Sequence, residues 1–199
     1  TNLLLAGNKE LRKEVNQFIQ FLRDPLNSNI GPEEAQTRFS LLKLRFNALL
    51  DQFDIFADVL SQRSEHETGV WISGLDVLAN DALKLNGNFF DAPPIMCYVE
   101  RGHGAAIRRA RTRLPGGDLN PVSVIQVPRE RMVSSGIASS LIHEVGHQGA
   151  ALLNLIESLR SDILKAQKFS NYKNAWNLYY RWISEIISDF WAMGFLGIG

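Results

Sequence analysis

The sequence holds a single cysteine, Cys97, so no disulfide can close within the chain. Cys97 lies far in sequence from His143 and His147 and reads as a small apolar residue buried in a strand. Neither charge is in excess. The 21 basic residues equal the 21 acidic ones, which argues against a protein that lives on nucleic acid or anionic lipid and leaves only local patches. No segment joins a basic start, an apolar core and a small-residue cleavage site, so no signal peptide is read. With no disulfide possible, this favours the cytoplasm. The longest apolar run, near the C-terminus, is interrupted by Glu185 and Asp189 and cannot span a membrane. Internal repeats and low-complexity tracts are absent. What remains is an ordinary globular composition, 45% hydrophobic and 21% charged. Its length suits one substantial core, or a helical domain joined to a smaller mixed one.

Helical spacing of Leu11, Val15, Phe18, Ile19 and Leu22 predicts a helix over residues 9–22, ended by Asp24 and Pro25. Pro32, with Glu33 and Glu34 in the first turn, announces a second helix. Its stripe of Phe39, Leu42, Phe46, Leu49, Leu50, Phe53, Phe56 and Leu60 reads as core. Ser64 is placed to cap a third helix reaching residue 85, closed by Asn86 and Gly87. The pattern then changes. Pro93 and Pro94 bar helix, residues 95–100 read as a strand, and residues 101–104 as a tight turn. Residues 106–114 alternate enough for a strand with one basic face or a short basic helix. After a turn at 115–118, residues 122–127 between Pro121 and Pro128 form the clearest strand, with an edge position favoured by the prolines. A helix from Ser134 or Ser135 follows, loosening at Gly146 and Gly149, with helical periodicity again over 150–168. Asn171 is placed to cap a last helix.

The first of the late helices carries His143-Glu144-Val145-Gly146-His147. Histidines four apart on a helix lie one above the other, so both rings can reach one metal ion. Glu144 is turned about 100° from His143, an offset better suited to a base beside the metal than to a ligand on it. A catalytic zinc site needs a third protein ligand and an open position. The chain has only four histidines, so that ligand is His66, His103 or a carboxylate. A third histidine six residues after His147 is excluded, because Leu153 stands there. Glu157 lies 14 residues past His143, about 21 Å of rise on a continuous helix, and only a sharp break near Gly149 would bring it back. Glu185 is better placed, on a separate helix able to pack antiparallel across the first. Asp189, four residues on, can accept the N–H of a ligand histidine. Trp182, Ile183, Ile186, Ile187, Phe190 and Trp191 surround these two carboxylates, and buried carboxylates need a cation or donors.

His143-Glu144-x-x-His147 followed 38 residues later by Glu185-x-x-x-Asp189 resembles the gluzincins, zinc metallopeptidases that use two histidines and a glutamate. The resemblance covers these motifs and the strand-then-helix order before them, about a third of the chain. It implies one zinc ion on His143, His147 and Glu185, Glu144 as general base for a peptide or protein substrate, and Asp189 behind a ligand histidine. It also implies that the strand at 122–127 receives an extended peptide by strand addition. The expected fold is α+β and mostly helical. A helical region over residues 1–88 packs as one unit with a zincin-like region over 89–199, which holds a small antiparallel sheet, the active-site helix and a C-terminal glutamate-ligand helix.

Gluzincins often place a Tyr or His downstream of the glutamate ligand to stabilise the oxyanion, and 14 residues follow Glu185. That group is expected in a continuation of the chain, or upstream at His103, Tyr98, Tyr179 or Tyr180. The arginines at 101, 108, 109, 111, 113, 129 and 131 read as a solvated basic face. A sharper reading has them, Arg109 and Arg111 among them, select an acidic peptide or hold a terminal carboxylate. Aromatic residues are not interleaved with them, which disfavours nucleic acid. The competing readings are a binding module of the same fold without turnover, its metal structural or vestigial, and a chance motif in a helical scaffold.

Overall fold

A computed structural model of the chain describes residues 2–24, 31–85, 87, 89–102, 104–112, 119–129 and 136–197. His103, Arg113, Arg131, the turn at 115–118, Asn86 and the helix start at Ser134 or Ser135 lie outside the described residues. The chain forms two compact units. One comprises Thr1–Leu60 with Thr112–Asn120, the other Ser61–Arg111 with Pro121–Gly199. The third helix lies in the second unit, where it is hydrogen-bonded to the first strand of the sheet.

The first unit is built on α1 (Asn2–Arg23) and most of α2 (Pro32–Ser64). Phe18 and Phe39 meet across the pair with ring centroids 6.2 Å apart, Arg38 lies 3.9 Å over the Phe21 ring, and Arg45 pairs with Glu14. The stripe read as core is only partly buried. Leu49 is inside, but Phe39, Phe46, Leu50 and Leu60 are exposed.

In the second unit α3 (His66–Leu83), β1 (Ile95–Glu100), β2 (Ala106–Arg108), β3 (Ser123–Pro128), α4 (Gly136–Leu152), α5 (Leu155–Lys168) and α6 (Lys173–Leu196) follow in order. The architecture is α+β and mostly helical, with a sheet that is mixed where an antiparallel one was expected. Its order is β1-β3-β2, with β1 parallel and β2 antiparallel to β3. β3 is therefore the central strand and not an edge. Pro121 precedes it and Pro128 occupies its last position, so neither proline interrupts the interior ladder. Its near-continuous burial is that of a strand covered on both faces. The strand read over 106–114 is only three residues long; the chain turns at Ala110 and Arg111, where Arg111 takes a φ of 61°.

The outer edge of β1 is filled by side chains. Gln62 bonds both the N–H and the C=O of Val99 at 2.7 Å, and Asp76 accepts from the Cys97 N–H at 2.6 Å. Asn80 brackets Ile95 at 2.9 and 3.0 Å. Asp76 and Asn80 are one helical turn apart on α3, so the helix supplies the donors and acceptors a further strand would have supplied. Burial pushes the Cys97 thiol far up, with the neighbouring Asp76 charge adding to it, as fits a packing residue.

One core joins α3 (Ile72, Ala79, Leu83), the sheet (Ile95, Cys97, Ile125, Val127) and α4 (Leu141, Ile142, Val145). α4 runs without interruption through Gly146 and Gly149. The break comes at Leu153 and Asn154, where Asn154 takes a φ of 52°. Ser64 ends α2 instead of capping α3, and Tyr172, not Asn171, stands at the α6 cap position. No helix among the described residues is long and apolar enough to cross a membrane.

Candidate metal centre

The centre is set by the rotation of α4. Leu141, Ile142 and Val145 are buried in the core, each worth roughly 1.5–3 kcal/mol on burial, and they fix which face turns away from the sheet. That open face carries Ser139, Ser140, His143, Glu144 and His147. Gln148, fully buried one position beyond His147, fixes the helix lengthwise. Its Oε1 accepts from the Ser123 hydroxyl at 2.8 Å and from the Ala110 N–H at 2.9 Å.

α6 then brings the carboxylates. A Cβ on Gly146 would stand 2.8 Å from the Ser188 Cα, and one on Gly149 would stand 2.4 Å from the Trp191 ring. At Gly146 the two helices meet backbone to backbone, and at Gly149 the missing side chain makes room for the Trp191 ring. Trp191 anchors the far side by donating its indole N–H to the Ala82 carbonyl at 2.9 Å.

This approach places Glu185 Oε2 3.2 Å from His143 Nε2 and 3.5 Å from His147 Nε2. All three candidate ligand atoms lie within 4.8 Å of one another, so His143, His147 and Glu185 could hold a metal ion. Three ligands about 2.0–2.1 Å from one ion at tetrahedral angles stand about 3.3–3.4 Å apart. The two measured separations bracket that value. Behind the rings, His143 Nδ1 lies 2.8 Å from Asp189 Oδ1 and His147 Nδ1 lies 3.1 Å from Ser184 Oγ. As a carboxylate Asp189 can only accept, so His143 donates from Nδ1 and turns the Nε2 lone pair toward Glu185. A proton shared with Glu185 would satisfy only one ring; a metal ion satisfies all three groups.

The electrostatics follow the burial. His147 is held below the ordinary histidine range, mainly by burial; the Glu185 charge opposes that shift, and the charges of His143 and Arg109 add to it. Glu144 is pushed above the ordinary carboxylate range, first by burial, with the His143 charge opposing and the Glu185 charge adding. It opens, together with His143, Asp189, Ser139, Ser140, Ala105, Ala192 and Met193, on a groove of about 520 Å³. The arrangement can bind a divalent cation and keep a carboxylate of raised basicity beside it.

Other residues singled out in the sequence fall elsewhere. Glu157 is exposed and pairs with Arg160 at 3.2 Å, since the break at Asn154 does not return it to the histidines. Tyr98 directs its hydroxyl to Glu100 and Gln126. Tyr180 lies under Arg160, and Tyr179 is exposed beside Trp176. Arg111 bonds the Asp91 carbonyl at 2.9 Å, whereas the Arg109 charge reaches His147. His66 opens α3. Ser184, Gln148 and the packing role of the two glycines were not read from the sequence. Ser184 had a signal, for it directly precedes the candidate ligand Glu185 on the helix expected to face the histidines. Comparison of the chain with family models, with curated proteins and with solved structures gives no match in any of the three.

Proposed function

We propose that this chain is a zinc-dependent peptidase in which His143, His147 and Glu185 hold the ion and Glu144 is the general base. The observation that carries the reading is the convergence of the three ligand atoms, with both Nδ1 atoms already partnered and Glu144 opening on the groove beside them. A set of two imidazoles and one carboxylate suits zinc and leaves a fourth position open. When bound, the ion polarises a carbonyl and lowers the pKa of a water toward about 7. Glu144, raised by its burial, takes a proton from the attacking water and passes it to the leaving amine. Asp189 holds the His143 ring in one tautomer, and Ser184 bonds the His147 ring from behind.

The strand that receives substrate is reassigned. β3 is central, and the outer edge of β1 is filled by Gln62, Asp76 and Asn80, so neither accepts a peptide. β2 pairs with β3 on one side, and its other edge carries no strand among the described residues. Ala105, the residue before it, lines the groove with Glu144. An extended substrate paired to β2 runs past the histidines.

Metal analysis of protein purified without added zinc, followed by a peptide-library digest, tests the proposal. One zinc per chain, lost in Glu185→Ala, and cleavage reduced about 10²–10⁴-fold in Glu144→Gln with zinc retained, are expected. In the metal-free protein Glu144 should titrate above the ordinary carboxylate range, as read by NMR, because burial disfavours its charged form. Absence of stoichiometric metal, or metal indifferent to Glu185→Ala, would overturn the site. A zinc-loaded protein that cuts nothing would leave a binding module.

A further inference from the structure

The apolar stripe of α2 is only half used by the fold. Phe39, Phe46, Phe53 and Leu60 recur every seven residues, and Leu42, Leu49 and Phe56 follow the first three at three positions' distance, the heptad spacing of helices that pack side by side. α1 covers one side of this stripe, for a Cβ on Gly7 would stand 2.7 Å from Leu49 Cδ2. The other side faces solvent. Phe39, Phe46 and Leu50 remain 47%, 42% and 40% exposed, and Ala57 is exposed as well. At 100° per residue these four lie within about 40° of one another around the helix, over about 27 Å of its length. A continuous apolar line of this kind, unlike scattered surface residues, marks a contact surface. It lies wholly in the first unit.

The charges beside the line indicate what it fits. Between residues 35 and 57 only Lys43 and Asp54 stand within about 60° of Phe39 around the helix. Both are exposed, and neither is ion-paired among the described residues. Lys43 stands five positions before Ala48 and Asp54 six after it; Phe46 and Leu50 stand two to either side, and Phe39 and Ala57 nine. The line is therefore self-complementary when one copy is reversed against another. Lys43 then meets Asp54, Phe46 meets Leu50 and the large Phe39 meets the small Ala57, each pair occurring twice by symmetry. In the parallel sense like charges would meet at both positions, and Phe39 would meet Phe39 while a gap opened at Ala57.

We propose that the chain forms a homodimer in which α2 packs antiparallel on α2 of a second copy, about a two-fold axis near Ala48. One helix face makes a small interface, so the dimer is reversible, with a Kd of about 1–100 μM. The proposal is independent of the metal centre.

Sedimentation of the full chain from about 1 μM to about 1 mM tests it. Phe46→Glu should weaken the dimer about 100-fold or more with circular dichroism unchanged, because the side chain is exposed in the single chain. Lys43→Glu and Asp54→Lys should each weaken it about 10-fold, and the double variant should restore it. A carbodiimide, which joins a carboxylate to an amine it touches, should link Lys43 to Asp54. The two are about 16 Å apart along one helix, so that link forms only between copies. A chain that stays monomeric throughout overturns the proposal and leaves the line to a different protein. A dimer indifferent to Phe46→Glu, or one in which the two charge reversals do not compensate each other, overturns it as well.

Discussion

Two helix pairs in this protein are held by different means. α1 and α2 meet through long side chains, with the Phe18 and Phe39 rings, the Glu14–Arg45 pair and Arg38 over Phe21 all near solvent. α4 and α6 meet through glycine, with Gly146 against the Ser188 backbone and Gly149 under the Trp191 ring. Long side chains tolerate changes of spacing because they can choose new rotamers, whereas a backbone contact cannot. The candidate ligands stand on the second pair. A site that requires three atoms about 3.3 Å apart needs helices whose separation cannot drift.

The largest effect should come from filling that backbone contact. Gly146→Val should push α6 away, cost about 1–3 kcal/mol or more by overpacking, and abolish zinc binding, as read by thermal unfolding and metal titration. Retention of full affinity would show that the close approach does not build the site. Removing the groups behind the rings should have a smaller and selective effect. Asp189→Ala and Ser184→Ala should each weaken zinc binding about 10- to 100-fold while the fold stays intact, because the rings lose their orientation but keep their metal-facing nitrogens. Equal affinity in a competitive chelator assay would count against that role. The smallest effect belongs to the first pair. Glu14→Ala removes an exposed ion pair, should cost no more than about 1 kcal/mol, and should leave zinc affinity unchanged in the same titration.

Much of the second pair was legible in advance. The spacing of His143 and His147, the offset of Glu144, and the position of Glu185 and Asp189 among apolar neighbours on a later helix follow from helical periodicity. Periodicity is a local property that sequence displays. Gly146 and Gly149 were misread because a glycine that loosens a helix and one that admits a neighbouring helix look alike until the neighbour is in place. The prolines at 121 and 128 misled for a related reason. They bar hydrogen bonding at the ends of a strand but say nothing about how many strands flank its middle, which the buried run of Val124, Ile125 and Val127 signalled better.

Sequence by itself determined the strand at β1, the apolar run of β3 and the placing of His143 and His147 on one face of α4, because each depends on residues within a few positions of one another. Tertiary structure alone decided that Ser184 stands behind the His147 ring, that β3 is central, and that the far edge of β2 carries no strand among the described residues. Those outcomes depend on which surfaces approach across tens of residues, and that is governed by the fit of α6 on two glycines and by the side chains of Gln62, Asp76 and Asn80 that occupy the other edge.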